Sequence, residues 1–130
     1  TQFEVRRGIM PFGGATLRFA QTAGYQNAMR YMLTGDFFDA DEARRMGIVQ
    51  EVTDVGQQRE RALAIGETIA RQAPLAVQAT RTNAKLALEM GHDAALEGLM
   101  TAARGLMRTE DAHEGVASFI ERREARFRGK

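Results

Sequence analysis

Cysteine is absent from the chain. Its absence excludes a disulfide framework and a thiolate metal site, and sets an intracellular, cytoplasmic location as the expectation. An excess of charge of one sign is missing too. Lys and Arg number 18 against 17 Asp and Glu, a formal net charge of +1. Chains that bind nucleic acid or membrane surfaces through their overall field usually carry a clear basic surplus, so neither partner is expected. No apolar run is long enough to span a bilayer. The opening Thr1-Gln2-Phe3-Glu4 has no signal-peptide pattern and no initiator Met. The chain is therefore expected to begin inside a longer sequence. The phosphate-loop pattern and the dinucleotide fingerprint are both lacking. No Ser stands in a nucleophile motif. His92 and His113 have no partner at metal-ligand spacing and read as surface or packing residues, so no metal is expected.

What is present suits a single domain: 130 residues, 44% hydrophobic and 27% charged. Residues 3–13 read as an extended piece and a loop, because Pro11 and the Gly13-Gly14 pair block a helix there. The pattern then turns helical. One helix runs from Ala15 to a stop at Gly24, and a second from Tyr25 to Leu33 with Gly35 behind it. A third fits Ala40 to Met46, with Asp39 and Glu42 spaced as in a capping box and Gly47 as its end. Residues 48–52 read as a short strand. A change of style near residues 53–56 divides the chain into 1–53 and 54–130. Beyond it lie helical stripes: Ala62, Ile65 and Ile69; then Leu75, Ala79, Leu86 and Met90, after Pro74 and before Gly91; then Leu96, Leu99, Met100, Ala103, Leu106 and Met107. A last helix starts near Thr109, with Glu110 and Asp111 in its first turn and Ala112, Val116, Phe119, Ile120 and Phe127 as its apolar face. These faces serve either a filled core or contacts between subunits.

Glu4 is the first residue with possible chemistry. Between apolar Phe3 and Val5, it either points to water or faces a pocket, where a carboxylate can serve proton transfer. The Gly-rich loop after it either makes a tight turn or brings backbone N–H groups close to a ligand. The basic C-terminus, with Arg122, Arg123, Arg126, Arg128 and Lys130, reads as a solvated helix end or as a phosphate contact.

Three stretches together resemble the crotonase, or enoyl-CoA hydratase/isomerase, superfamily. The first runs from Phe3-Glu4-Val5 through Gly8-Ile9-Met10-Pro11-Phe12-Gly13-Gly14 to Arg18. The second comprises Leu33-Thr34-Gly35, Asp39-Ala40-Asp41-Glu42-Ala43 and Met46-Gly47-Ile48-Val49. The third is Thr109-Glu110-Asp111, Glu114 to Phe119 and Glu121-Arg122-Arg123. The resemblance implies an α/β fold, a spiral of ββα turns followed by a helical region that packs trimers, often paired into hexamers. This chain would be the C-terminal part: 1–53 the end of the spiral core, 54–130 the helical oligomerisation region, with most of the fragment α-helical.

The implied substrate is an acyl-CoA thioester, with coenzyme A part of the substrate and no separate cofactor. The implied activity is hydration of a trans-2-enoyl-CoA, or double-bond isomerisation. A third possibility is a non-catalytic helical oligomerisation module. Glu4 matches the glutamate that handles the proton at the α-carbon. Phe12, with Gly13, matches a loop that aims a backbone N–H at the catalytic water. Phe119 and Arg122 match positions that reach the CoA of a neighbouring subunit. The oxyanion hole and the other catalytic glutamate of the family would precede Thr1, so the fragment alone is expected to be inactive. The chain departs from the family at Phe3, where proline is usual, at Arg6 and Arg7, where apolar residues are, and at Ala125, where proline is common.

Overall fold

Glycine and proline punctuate a chain that is otherwise helix, and the computed structural model, which describes residues 1–130, follows that punctuation. A single-turn 3-10 helix, Glu4–Arg7, precedes seven α-helices: α1 (Ala15–Ala23), α2 (Tyr25–Thr34), α3 (Ala40–Arg45), α4 (Gln58–Ala70), α5 (Pro74–Met90), α6 (His92–Leu106) and α7 (Glu110–Glu121). The chain divides into two compact units, Thr1–Gln58 and Arg59–Lys130.

Two expected extended pieces do not form. Residues 4–7 wind into the 3-10 turn, which ends where Gly8 enters the left-handed region at φ +73°. Residues 48–52 form no strand, because no second strand is there to complete a ladder. Instead the Ile48 N–H bonds the Ala43 carbonyl at 2.9 Å, tying that segment to the end of α3.

In the first unit, Gly24 alone joins α1 to α2, and the two helices pack on each other. Phe19 and Ala23 of α1, Ala28, Tyr31 and Met32 of α2, and Met46 after α3 make the core. Phe38 seals it, its ring 4.9 Å from that of Tyr31 in an edge-on arrangement and 5.9 Å from that of Phe19. Asp39 caps α3 by accepting the Glu42 N–H at 2.9 Å. The return half of the capping box is not made. The Glu42 carboxylate is taken by the Tyr31 hydroxyl, at 2.8 Å, and by the Arg45 guanidinium. Arg45 and then Tyr31 hold Glu42 at a pKa of about 2, and the Tyr31 hydroxyl is raised, chiefly by its bond to Glu42.

The second unit is built differently. Pro74 opens α5, where its missing N–H costs nothing, and α5 packs on α6 across Gly91. Thr109 caps α7 by accepting the Ala112 N–H at 3.1 Å. Of the expected apolar face of α7, Val116, Phe119 and Ile120 are exposed. Its buried residues are instead polar, Asp111 and Ser118. The reason is the tail. After Arg122, which adopts φ +54°, the chain turns back along α7. Asp111, only 3% exposed, accepts the N–H groups of Arg128 at 2.6 Å and Gly129 at 2.8 Å, and its own N–H bonds the Lys130 carbonyl at 3.2 Å. Glu114 accepts the Arg126 N–H at 2.8 Å and a two-pronged contact from Arg123. Phe127 lies beside Gly115, where an added methyl would sit 3.8 Å from its ring edge.

Candidate functional site

Glu4 opens the 3-10 turn, and its carboxylate is held by nothing. Oε2 is buried and has no hydrogen-bond partner. A buried polar atom left unpaired is rare in folded proteins and calls for a reason. Glu4 is among the residues lining a cavity of about 500 Å³ in the first unit. Gln2, Gly13, Arg18, Thr22, Phe38 and Ile48 are among the lining residues, and Glu4 is the only carboxylate. One wall is therefore apolar and continuous with the core, while the other carries the Gly-rich loop. A single unpaired carboxylate against a partly apolar wall can hold or deliver one proton to a bound molecule.

The loop is fixed by Arg18 of α1. Its Nη2 donates to the Gly13 carbonyl at 2.6 Å. The guanidinium also lies over Gly14, where an added Cβ would stand 2.5 Å from Nη2, and Gly14 itself sits at φ +91°. Only glycine satisfies both conditions. The loop is thus held in one shape where it meets the cavity.

The five residues singled out from sequence fall into two places. Glu4 and Gly13 share the cavity wall. Phe12, next to Gly13, turns its ring to solvent and is 82% exposed, so what it can offer a ligand at the cavity is its backbone. Phe119 and Arg122 lie in the second unit, in the last turn and at the C-terminal cap of α7, both exposed. Reading the sequence for motifs missed Gln2, Thr22 and Phe38 as cavity wall, and missed what Arg6 and Arg18 hold. Arg6 had left one signal, a cation where the resemblance led us to expect apolar residues.

A larger cavity, about 800 Å³, lies between α7 and the tail. Two of its four acids are already committed, Glu114 to Arg123 and Arg126, Asp111 to the backbone of Arg128 and Gly129. Arg123 above all, then the Arg126 N–H, holds the Glu114 carboxyl at a pKa of about 2. That cleft reads as the internal bonding of the tail. His113 lines it, while His92 is exposed at the start of α6, and no group of residues is arranged to hold a metal ion.

Comparison with known proteins places this geometry in a wider setting. The family model described as enoyl-CoA hydratase/isomerase matches residues 1–130. Among curated proteins, the chain is 34% identical to the 2,3-dehydroadipyl-CoA hydratase of Escherichia coli K12, over 98% of this chain and 50% of that protein. It is 42% identical to the (E)-benzylidenesuccinyl-CoA hydratase of Thauera aromatica, over 78% of this chain and 40% of that one. Among solved structures, a probable enoyl-CoA hydratase/isomerase from Mycobacterium abscessus superposes with a TM-score of 0.90 at 57% identity, covering 99% of this chain and 50% of that one. The enoyl-CoA hydratase of Mycobacterium tuberculosis H37Rv superposes with a TM-score of 0.86 at 33% identity, covering 98% and 51%. The chain thus spans about half the length of these hydratases.

Proposed function

The chain belongs to the enoyl-CoA hydratase/isomerase family, and from that premise we propose that in the full-length protein Glu4 is the proton-transfer carboxylate of an acyl-CoA thioester site. The reaction we assign is hydration of a trans-2-enoyl-CoA. The observation that carries this reading is that Glu4, whose Oε2 has no hydrogen-bond partner, is the one carboxylate of this chain lining the cavity.

The chemistry follows from polarity. Water adds its oxygen to the β-carbon, and the electron pair of the double bond moves toward the thioester, whose oxygen takes up enolate character. Glu4 then delivers a proton to the α-carbon, and the thioester carbonyl re-forms. Two backbone N–H groups stabilise such an oxygen. On this reading they, and the second glutamate that activates the water, belong to the rest of the full-length protein. The Phe12 N–H, on the loop fixed through Gly13, directs the water. Phe119 and Arg122 contact the CoA of a neighbouring subunit, Arg122 through a phosphate, for which its planar fork is suited. Coenzyme A enters as part of the substrate, with no separate cofactor, and the setting is cytoplasmic. The two named relatives are hydratases of different acyl-CoA substrates, 2,3-dehydroadipyl-CoA and (E)-benzylidenesuccinyl-CoA.

Glu4→Gln in the full-length protein keeps the shape and removes the proton. Turnover of an enoyl-CoA is expected to fall about a hundredfold to ten-thousandfold. Hydration within a few-fold of the parent would remove Glu4 from the mechanism.

One observation favours a second reading, double-bond isomerisation: Glu4 is the only carboxylate lining the cavity. A single carboxylate can shuttle a proton between two carbons. Assaying the full-length protein with a trans-2-enoyl-CoA and a 3-enoyl-CoA separates the two activities.

A further inference from the structure

We propose that Arg6 is a positioning residue, clamping the turn that carries Glu4 to the end of α2 and so setting the direction of the Glu4 carboxylate. This rests on reading Glu4 as the proton-transfer residue. The argument begins with what does not hold Glu4. Its buried Oε2 accepts no bond from the protein, so the course of the turn, together with side-chain packing, sets where the carboxylate points. That backbone is one turn of 3-10 helix, with no side-chain cap at its N-terminus. Its bonds are Arg6 N–H to the Phe3 carbonyl at 3.0 Å, Gly8 N–H to Val5 at 3.2 Å and Ile9 N–H to Glu4 at 3.3 Å. A helix this short has no stability of its own and needs an outside anchor.

Arg6 provides one. Its Nε donates to the Thr34 carbonyl and its Nη2 to Asp36 Oδ1, both at 2.8 Å. The side chain lies against Gly35, where an added Cβ would stand 2.8 Å from Nε and 3.1 Å from Cδ. Gly35, at φ +67°, is the C-terminal cap of α2. Its carbonyl also accepts the Thr1 hydroxyl at 3.0 Å. α2 contributes Ala28, Tyr31 and Met32 to the core, so the clamp ties the Glu4 turn to a core helix of the unit. At three residues per turn, Arg6 leaves the helix about 240° around from Glu4. It therefore holds the turn from the far side, and it does not line the cavity. It is absent from the chemistry and present in the geometry.

The test uses the full-length protein, with trans-2-butenoyl-CoA as probe and amide hydrogen exchange as a second readout. Arg6→Ala is expected to lower kcat about tenfold to a hundredfold, the cost of a misaimed group, with KM within about twofold. Exchange at the Gly8 and Ile9 amides, which close the turn, is expected to quicken. Arg6→Lys should recover part of kcat. Asp36→Ala, which removes one arm of the clamp, should lose less and add nothing to Arg6→Ala. Should Arg6→Ala fail to fold, Asp36→Ala and Arg6→Lys carry the test by the same split between kcat and KM. Unchanged kcat in the Arg6 variants, or a loss explained wholly by a smaller folded fraction, overturns the proposal, even if exchange quickens. If the parent protein turns over no enoyl-CoA, the assignment of the reaction has failed. Unchanged Gly8 and Ile9 exchange in Arg6→Ala then overturns the clamp as well.

Discussion

At the scale of single residues, the chain keeps positions that a purely structural design would avoid. Arg122 is its one non-glycine residue in the left-handed region, at φ +54°. That conformation costs an L-residue about 1 kcal/mol, and glycine is the usual choice at such a helix end. Arg122→Gly is therefore expected to stabilise the full-length protein by about 0.5–1 kcal/mol, measured by denaturant melting. The same variant should bind acyl-CoA more weakly, since the proposed phosphate contact is gone. A stabilised variant with unchanged affinity would leave Arg122 without its proposed role. Gly14 shows the reverse case, a residue whose replacement by alanine would meet both a positive φ and the Arg18 guanidinium. Gly14→Ala should cost more than 1 kcal/mol of stability and release the Gly13 carbonyl.

At the scale of elements, the bond between α7 and the tail depends on pH in a defined window. Glu114 titrates at about 2 in the folded chain, against an ordinary 4.5. Its folded value is depressed, so its contribution is fully present above about pH 4.5 and is lost as pH falls toward about 2. Glu114 is partly exposed and water screens the pair, so the contribution is modest. The Arg126 amide signal should shift across that window in an acid titration followed by NMR, and Glu114→Gln should abolish the shift. Glu42, held at about 2 chiefly by Arg45, titrates over the same range in the first unit and should be unaffected by that variant.

Elements were also where sequence reading worked best. Asp39 and Thr109 were legible as caps because an N-cap is a local bargain between one side chain and an N–H three residues on. Gly24, Gly35, Gly47 and Gly91 marked helix ends for the same local reason. The strand at residues 48–52 was misread because a strand is not local: its propensity means nothing without a partner. Glu4 was singled out through the motif around it, while the bonds that Arg6 makes were not foreseen. Arg6 reaches partners 28 and 30 residues away, and no periodicity encodes that reach. The sequence left the apolar face of α7 open between a core and a subunit contact; the tail takes the side carrying Asp111 and Glu114, leaving Phe119 and Ile120 outward.

At the scale of the molecule, the apolar surface exceeds what the chain itself covers. No residue of α4 or α5 is buried, and α6 buries only Ala95. Leu96, Leu99, Met100 and Met107 stand exposed, Met100 by 59%. A surface this apolar calls for a cover, from the rest of the full-length protein or from another subunit. In keeping with the proposed function, the full-length protein is expected to size as a trimer or a pair of trimers by light scattering. Met100→Glu should shift it toward smaller species. A monomeric parent protein with full activity would assign that surface to covering within one chain instead.

The way the tail is fastened has a consequence for how this segment tolerates change. Beyond the Arg123 side chain, which Glu114 also holds, Asp111 and Glu114 grip the tail by its peptide N–H groups, at Arg126, Arg128 and Gly129, and so read the register of residues 126–129 rather than their side chains. Most single exchanges at positions 126 and 128 leave those donors in place, and the identity of the residue is free to drift. Proline at 128 would cost Asp111, only 3% exposed, one of its two tail donors, and a one-residue insertion or deletion between 123 and 128 would put both out of register. Related chains should therefore vary in the lettering of this stretch while conserving its length.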